Sequence, residues 1–90
     1  MKSIIVEKPN PEKIQVMGIP SWQIWTKEVS EFDWHYDTNE TCLILEGEAT
    51  VTGKDCNTVT FGKGDLLVFP QGLSCTWKIT SPIRKHYKFG

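Results

Sequence analysis

No stretch of this 90-residue chain approaches the roughly 18–20 consecutive apolar residues that a membrane-spanning helix needs, so no membrane partner is expected. It has no basic run either. Lys plus Arg total 10 against 11 Asp plus Glu, a net charge of −1, which leaves no electrostatic footprint for nucleic acid. Histidine is scarce, with only His35 and His86. The cysteines Cys42, Cys56 and Cys75 show no C-x-x-C spacing, and any intramolecular pairing would leave one over. The opening MKSIIVEKPNPEK has too short an apolar run for a secretory signal and is too acidic for a transit peptide. Free thiols in a reducing compartment are therefore expected, which points to the cytoplasm, or to an organelle after loss of a longer precursor segment. Repeats, linkers and low-complexity segments are also absent.

What is present reads as one small all-β domain spanning residues 1–90. A chain of this length buries roughly 60–65% of its unfolded surface, a marginal core that makes a homodimer plausible. Residues 1–20 are read as a cover. Lys2–Glu7 is β-branched and strand-like, and Asn10-Pro11-Glu12 is a helix start with Asn as N-cap and Pro at the first position. That helix must stop by Met17, before Gly18 and Pro20, with Ile14 and Met17 on its buried side. Residues 21–90 are read as the barrel. Runs of alternating residues separated by Gly, Pro, Asn and Asp bring the total to about nine short strands, a sandwich or barrel pattern. Gly47 and Pro82 are taken as breaks between strands. In Glu40–Glu46, Glu40, Cys42 and Ile44 share one face and Thr41, Leu43 and Leu45 the other. Both faces are partly apolar, so one should line a barrel while the other is covered by the N-terminal segment or a second subunit.

Two stretches carry fixed punctuation. In Glu40–Gly47, ETCLILEG, a carboxylate precedes a glycine by seven residues. In Gly64–Gly72, GDLLVFPQG, Gly64 is followed by Pro70 and then Gly72. Together they resemble the two signature motifs of the cupin superfamily. The resemblance implies an all-β fold, a single cupin-type jelly-roll β-barrel (RmlC-like) with a short N-terminal helix added. Within the superfamily the chain is similar to short single-domain cupins grouped with ureidoglycine aminohydrolase and the ethanolamine-utilisation Q-type proteins. The segments WQIWTKEVSEFDW, NETCLILEG, PQGLSCTW and RKHY carry that similarity.

The resemblance also implies a site. Glu40 matches the family's inward-pointing metal-ligand glutamate, and Cys75 and Ile79 stand where the second motif has its histidine and asparagine. The two histidines before the glutamate fall on Asp33 and His35 in one register and on Trp34 and Tyr36 in the other, so neither register supplies the family's pair. Asp33, His35, Glu40 and Cys75 would form a mixed donor set for a divalent ion. Phe32, Trp34 and Tyr36 form the natural core face of their strand, which favours aromatics inside and His35 outside. Cys75 shares a face with Leu73, Trp77 and Ile79 and reads as core filling; a reactive thiolate would need a cationic neighbour. His86 alternates with Arg84 and Lys88 on a solvated basic face, with Ile83, Tyr87 and Phe89 opposite if the strand bulges near Lys85. Alternatively Arg84 and His86 turn inward to meet Glu40.

The leading expectation is a small cupin of unestablished activity that binds an unknown small molecule, with Tyr36, Glu40, Cys75, Trp77, Trp34 and His86 around the pocket. No metal or other cofactor is expected, and any divalent ion would be weakly held. The alternatives are a metal-dependent enzyme acting on a small nitrogenous metabolite through Asp33, His35, Glu40 and Cys75, and a filled structural barrel with no site.

Overall fold

Two long strands, β4 (Glu40–Gly53) and β7 (Ser74–Phe89), run antiparallel along most of their length and form the spine of the protein. The computed structural model describes residues 3–54 and 57–90, so Cys56, read from sequence as a turn residue, lies outside the described residues. Around the spine are β1 (Ile5–Glu7), β2 (Gln23–Lys27), β3 (Ser30–His35), β5 (Thr58–Gly62) and β6 (Leu66–Phe69). The sheet order is β1-β6-β4-β7-β2, with β3 also on β7 and β5 also on β4. β7 thus pairs with β3 through its first half and with β2 through its second. β4 pairs with β6 and then with β5 in the same way. A sheet whose central strands each change partner halfway folds over on itself into a barrel, in keeping with the expectation from the motif resemblance.

The described residues form seven strands, because the two sequence breaks inside the spine are bends. Gly47 (φ 94°) sits in a run of register shifts between Ile44 and Ala49, and a Cβ there would collide with the Pro82 carbonyl of β7. Pro82 lacks an N–H and is tolerated where the ladder is already irregular. The bulge changes the parity of β4, as an added residue must. Glu40, Cys42 and Ile44 are buried before it, and Ala49 and Val51 after it. β7 keeps one parity: Cys75, Trp77, Ile79, Ile83 and Lys85 are all buried, with half-buried Ser81 between Ile79 and Ile83. Across the bend β7 runs from Lys85 to Ile79 while β4 runs from Ile44 to Ala49, so both strands are irregular, but β7 keeps its parity and Ile83, Lys85 and Tyr87 share a face without the change of face expected near Lys85.

The main core gathers Tyr36, Cys42, Ile44, Leu67, Phe69 and Trp77 with their neighbours inside the barrel. A second, smaller cluster of Ile19, Leu43 and Leu66 lies on the outer face of β4 and β6, with Ile14, Met17, Trp22 and Leu45 packed against it. Its cover is the helix α1 (Pro11–Val16), followed by a 3-10 turn at Ile19–Ser21. Asn10 caps α1 by accepting from the Lys13 amide at 2.8 Å, Pro11 takes the first turn, and Gly18 (φ 71°) ends it. Of the two covers considered for the second apolar face of β4, the structure provides the N-terminal segment.

Candidate ligand cavity

Strand parity dictates what the barrel interior receives. Inward positions on β2, β3 and β7 carry Trp25, Phe32, Trp77, Lys85 and Tyr87. Direct cross-strand pairing sets Trp25 beside Lys85 and Phe32 beside Trp77. Phe32 and Trp77 stack with centroids 6.1 Å apart and planes 7° from parallel, and Trp25 meets Trp77 edge-on at 6.2 Å. These rings, with Tyr36, Trp34 and Phe89, wall a cavity of about 670 Å³ that also reaches Asp33, Glu40 and Lys85. Trp34 is half exposed.

Two of the lining residues, Glu40 and Lys85, form a buried ion pair. Lys85 Nζ donates to Glu40 Oε2 at 2.9 Å, with about 5% and 4% of the two side chains exposed. The ammonium also lies 4.8 Å from the Trp25 ring centroid and 4.7 Å from that of Trp77, within cation–π range of both. Long methylene stems let a lysine cross an apolar wall and deliver its charge beyond it. Tyr36 stacks on Phe69 at 5.0 Å. Burial, then the Glu40 charge, push its hydroxyl well above the usual phenol range, against an opposing interaction with the Trp77 indole, so Tyr36 stays protonated. Burial likewise pushes the Cys42 thiol up to about 12; Lys85 opposes the shift and Glu40 adds to it. A thiol so placed is a small core hydrophobe at neutral pH.

The residues singled out from sequence are distributed as follows. Tyr36, Glu40, Trp77 and Trp34 line the cavity. Cys75 is buried in the core, its Sγ donating to the Trp34 carbonyl at 3.6 Å, and is not part of the cavity wall. His86 is on the other face of β7, its Nδ1 3.0 Å from the Trp22 carbonyl oxygen, and Arg84 reaches out to Glu46 at 3.6 Å. The odd-numbered parity of β7 turns both away from the interior, so neither meets Glu40. His35 is exposed beside Ser74, Nδ1 to Oγ 2.8 Å, while Phe32 and Tyr36 face inward. Asp33 accepts from the Thr76 hydroxyl at 2.8 Å.

Lys85 was the residue that sequence reasoning did not select, and Trp25, Phe32, Tyr87 and Phe89 were also missed as cavity residues. The available signal was the shared parity of Trp77, Ile79, Ile83, Lys85 and Tyr87, concealed by treating Pro82 as a strand end. The Asp33, His35, Glu40 and Cys75 donor set does not converge. Among the described residues no three His, Cys, Asp or Glu side chains come together as a metal centre. A cupin-type metal ion does not fit here, because the place beside Glu40 where a cation would sit is taken by the Lys85 ammonium.

Comparison with known proteins agrees with this architecture. The family model for the EutQ-like cupin domain matches residues 16–87. The crystal structure of a DUF861 family protein from Thermotoga maritima superposes with a TM-score of 0.94 at 54% identity, covering 97% of this chain and 99% of that one. A putative ethanolamine utilization protein Q from Salmonella typhimurium gives a TM-score of 0.66 at 20% identity, covering 96% of this chain and 68% of that one, a likeness of fold alone. An uncharacterized protein of Bacillus subtilis, YdbB, is 39% identical over 44 residues, which span 47% of this chain and 39% of that protein. The match over residues 16–87 covers most of the 90-residue chain, and the chain belongs to the EutQ-like cupin family.

Proposed function

We propose that this chain is a small-molecule-binding cupin whose ligand passes the half-exposed Trp34 and settles against the Lys85–Glu40 pair. The observation that carries the reading is the cavity of about 670 Å³, walled by aromatic rings and lined by a buried ion pair. Its size lies within the roughly 300–1,000 Å³ of small-molecule sites, and a mostly apolar wall with a few convergent polar groups is their usual make-up. A buried ion pair adds little stability that well-packed apolar residues would not supply, so its position in the lining of a cavity supports a recognition role. The cavity also weighs against a filled structural barrel. Nothing favours the metal-dependent enzyme, whose four donors are held apart; in this reading no resident metal takes part.

The reading extends to a homodimer, supported by the exposed Ile5 and Val6 on the short edge strand β1 and by exposed Ile24 and Val29. A cytoplasmic setting is supported by the thiol of Cys42, buried in the core. No helix among the described residues is long and apolar enough to cross a membrane.

The test is a titration of the 15N-labelled chain with indole, followed through backbone and indole N–H resonances. Saturable shifts at Trp25, Trp34 and Trp77 with Trp22, outside the barrel, unmoved are expected. Unmoved cavity resonances at millimolar indole would contradict the proposal.

A further inference from the structure

Resting on the reading of the cavity as a ligand site, we infer that its ligand is a neutral, planar molecule with an N–H donor and a C=O acceptor side by side, a cyclic amide or imide, which donates to Glu40 and accepts from Lys85. The argument starts from charge. Glu40 and Lys85 compensate each other at 2.9 Å and are almost wholly withdrawn from water. An anionic ligand would place two negative groups around one ammonium, and a cationic ligand two positive groups around one carboxylate. Either leaves a net charge in an apolar site, which is costly unless the pair is broken. Aromatic faces such as these also suit a cationic ligand, but Trp25 and Trp77 already hold the Lys85 ammonium.

A neutral ligand leaves the pair intact and uses its spare capacity. An ammonium has three N–H donors and a carboxylate about four lone-pair sites. Lys85 gives one donor to Glu40 Oε2, and the Tyr36 hydroxyl also hydrogen-bonds Glu40, which still leaves N–H donors on the ammonium and lone pairs on the carboxylate. An acceptor and a donor site therefore lie next to each other on one side of the pair, which matches the edge of a lactam. A planar ligand suits walls made of the Trp25, Phe32 and Trp77 rings, against whose flat faces or edges it can pack. The cavity is also lined by Lys27, Glu28 and Asp33, charges of both signs that select neither anions nor cations.

The experiment compares five probes of similar size on the intact wild-type chain by the same resonance titration: 2-pyridone, N-methyl-2-pyridone, benzoate, benzamidinium and indole. The expected result is tightest binding by 2-pyridone, at least tenfold weaker binding by N-methyl-2-pyridone, which keeps the acceptor and loses the donor, and weaker binding by both ions. Equal affinity for the two pyridones, or preference for benzoate or benzamidinium, overturns the inference while saturable indole binding leaves the cavity reading standing. If no probe, indole included, shifts the cavity resonances, the cavity reading fails and this inference with it. Using the wild-type chain avoids dependence on the folding of a variant.

Discussion

Lys85 has two roles to separate, holding Glu40 and presenting a donor to the cavity. Replacing it with methionine keeps most of its volume but strands a buried carboxylate. Lys85→Met is expected to lose about 3–5 kcal/mol of stability, and Lys85→Met combined with Glu40→Met to recover most of it. Urea unfolding of the four proteins of that cycle reads the coupling; near-additive losses would mean that the two side chains are not paired as described. Cys42 makes a second prediction at this scale. Its thiol titrates near 12 in the folded chain against an ordinary value of 9.0. From about pH 9 upward the unfolded chain gives up that proton and the folded chain keeps it. The stabilising contribution is therefore fully present below about pH 9 and is lost as pH rises toward 12, at up to about 1.4 kcal/mol per pH unit. The raised hydroxyl of Tyr36 acts in the same direction above its ordinary value of 10.0. Stability measured from pH 8 to 11 should fall, and fall less steeply in Cys42→Val.

The bend where β4 passes β7 decides which residues face the cavity. Gly47→Ala should cost at least about 2 kcal/mol, since it combines a left-handed backbone with a clash against the Pro82 carbonyl. Gly64→Ala, with a similar φ of 91° and open space around it, should cost only about 1–2 kcal/mol. Thermal melts of the two variants give the comparison, and equal losses would mean that the close approach at Gly47 is not a constraint. The same bend marks where the sequence stopped being readable. Asn10-Pro11 and Gly18 bound α1 as local chemistry requires, whereas alternation in Phe32–Tyr36 favoured the aromatic face as the inward one but left Asp33 and His35 as an open alternative that only the structure closes. By contrast, Gly47 and Pro82 are ordinary break signals, and only their contact across two strands 35 residues apart reveals them as a corner. Treating Pro82 as a break detached Ile83–Phe89 from the parity of Trp77 and Ile79. This hid Lys85 and led to His86 being considered for the interior. Glu40 was legible from its spacing to Gly47, whereas its partner 45 residues away was not.

At the scale of the whole molecule, a barrel with seven described strands and an apolar edge at β1 is expected to self-associate. Sedimentation at micromolar concentration should give a dimer, and a lone monomer would remove that part of the account. The central claim concerns what balances Glu40 at the heart of the barrel. The resemblance to metal-holding cupins implies a transition-metal ion in that position; the structure has the ammonium of Lys85 there. Elemental analysis of the tag-free chain, purified without chelator, bears on this directly. The account predicts far less than one transition-metal ion per chain, with no change in Glu40→Gln. About one ion per chain, lost in both Glu40→Ala and His35→Ala, would contradict it.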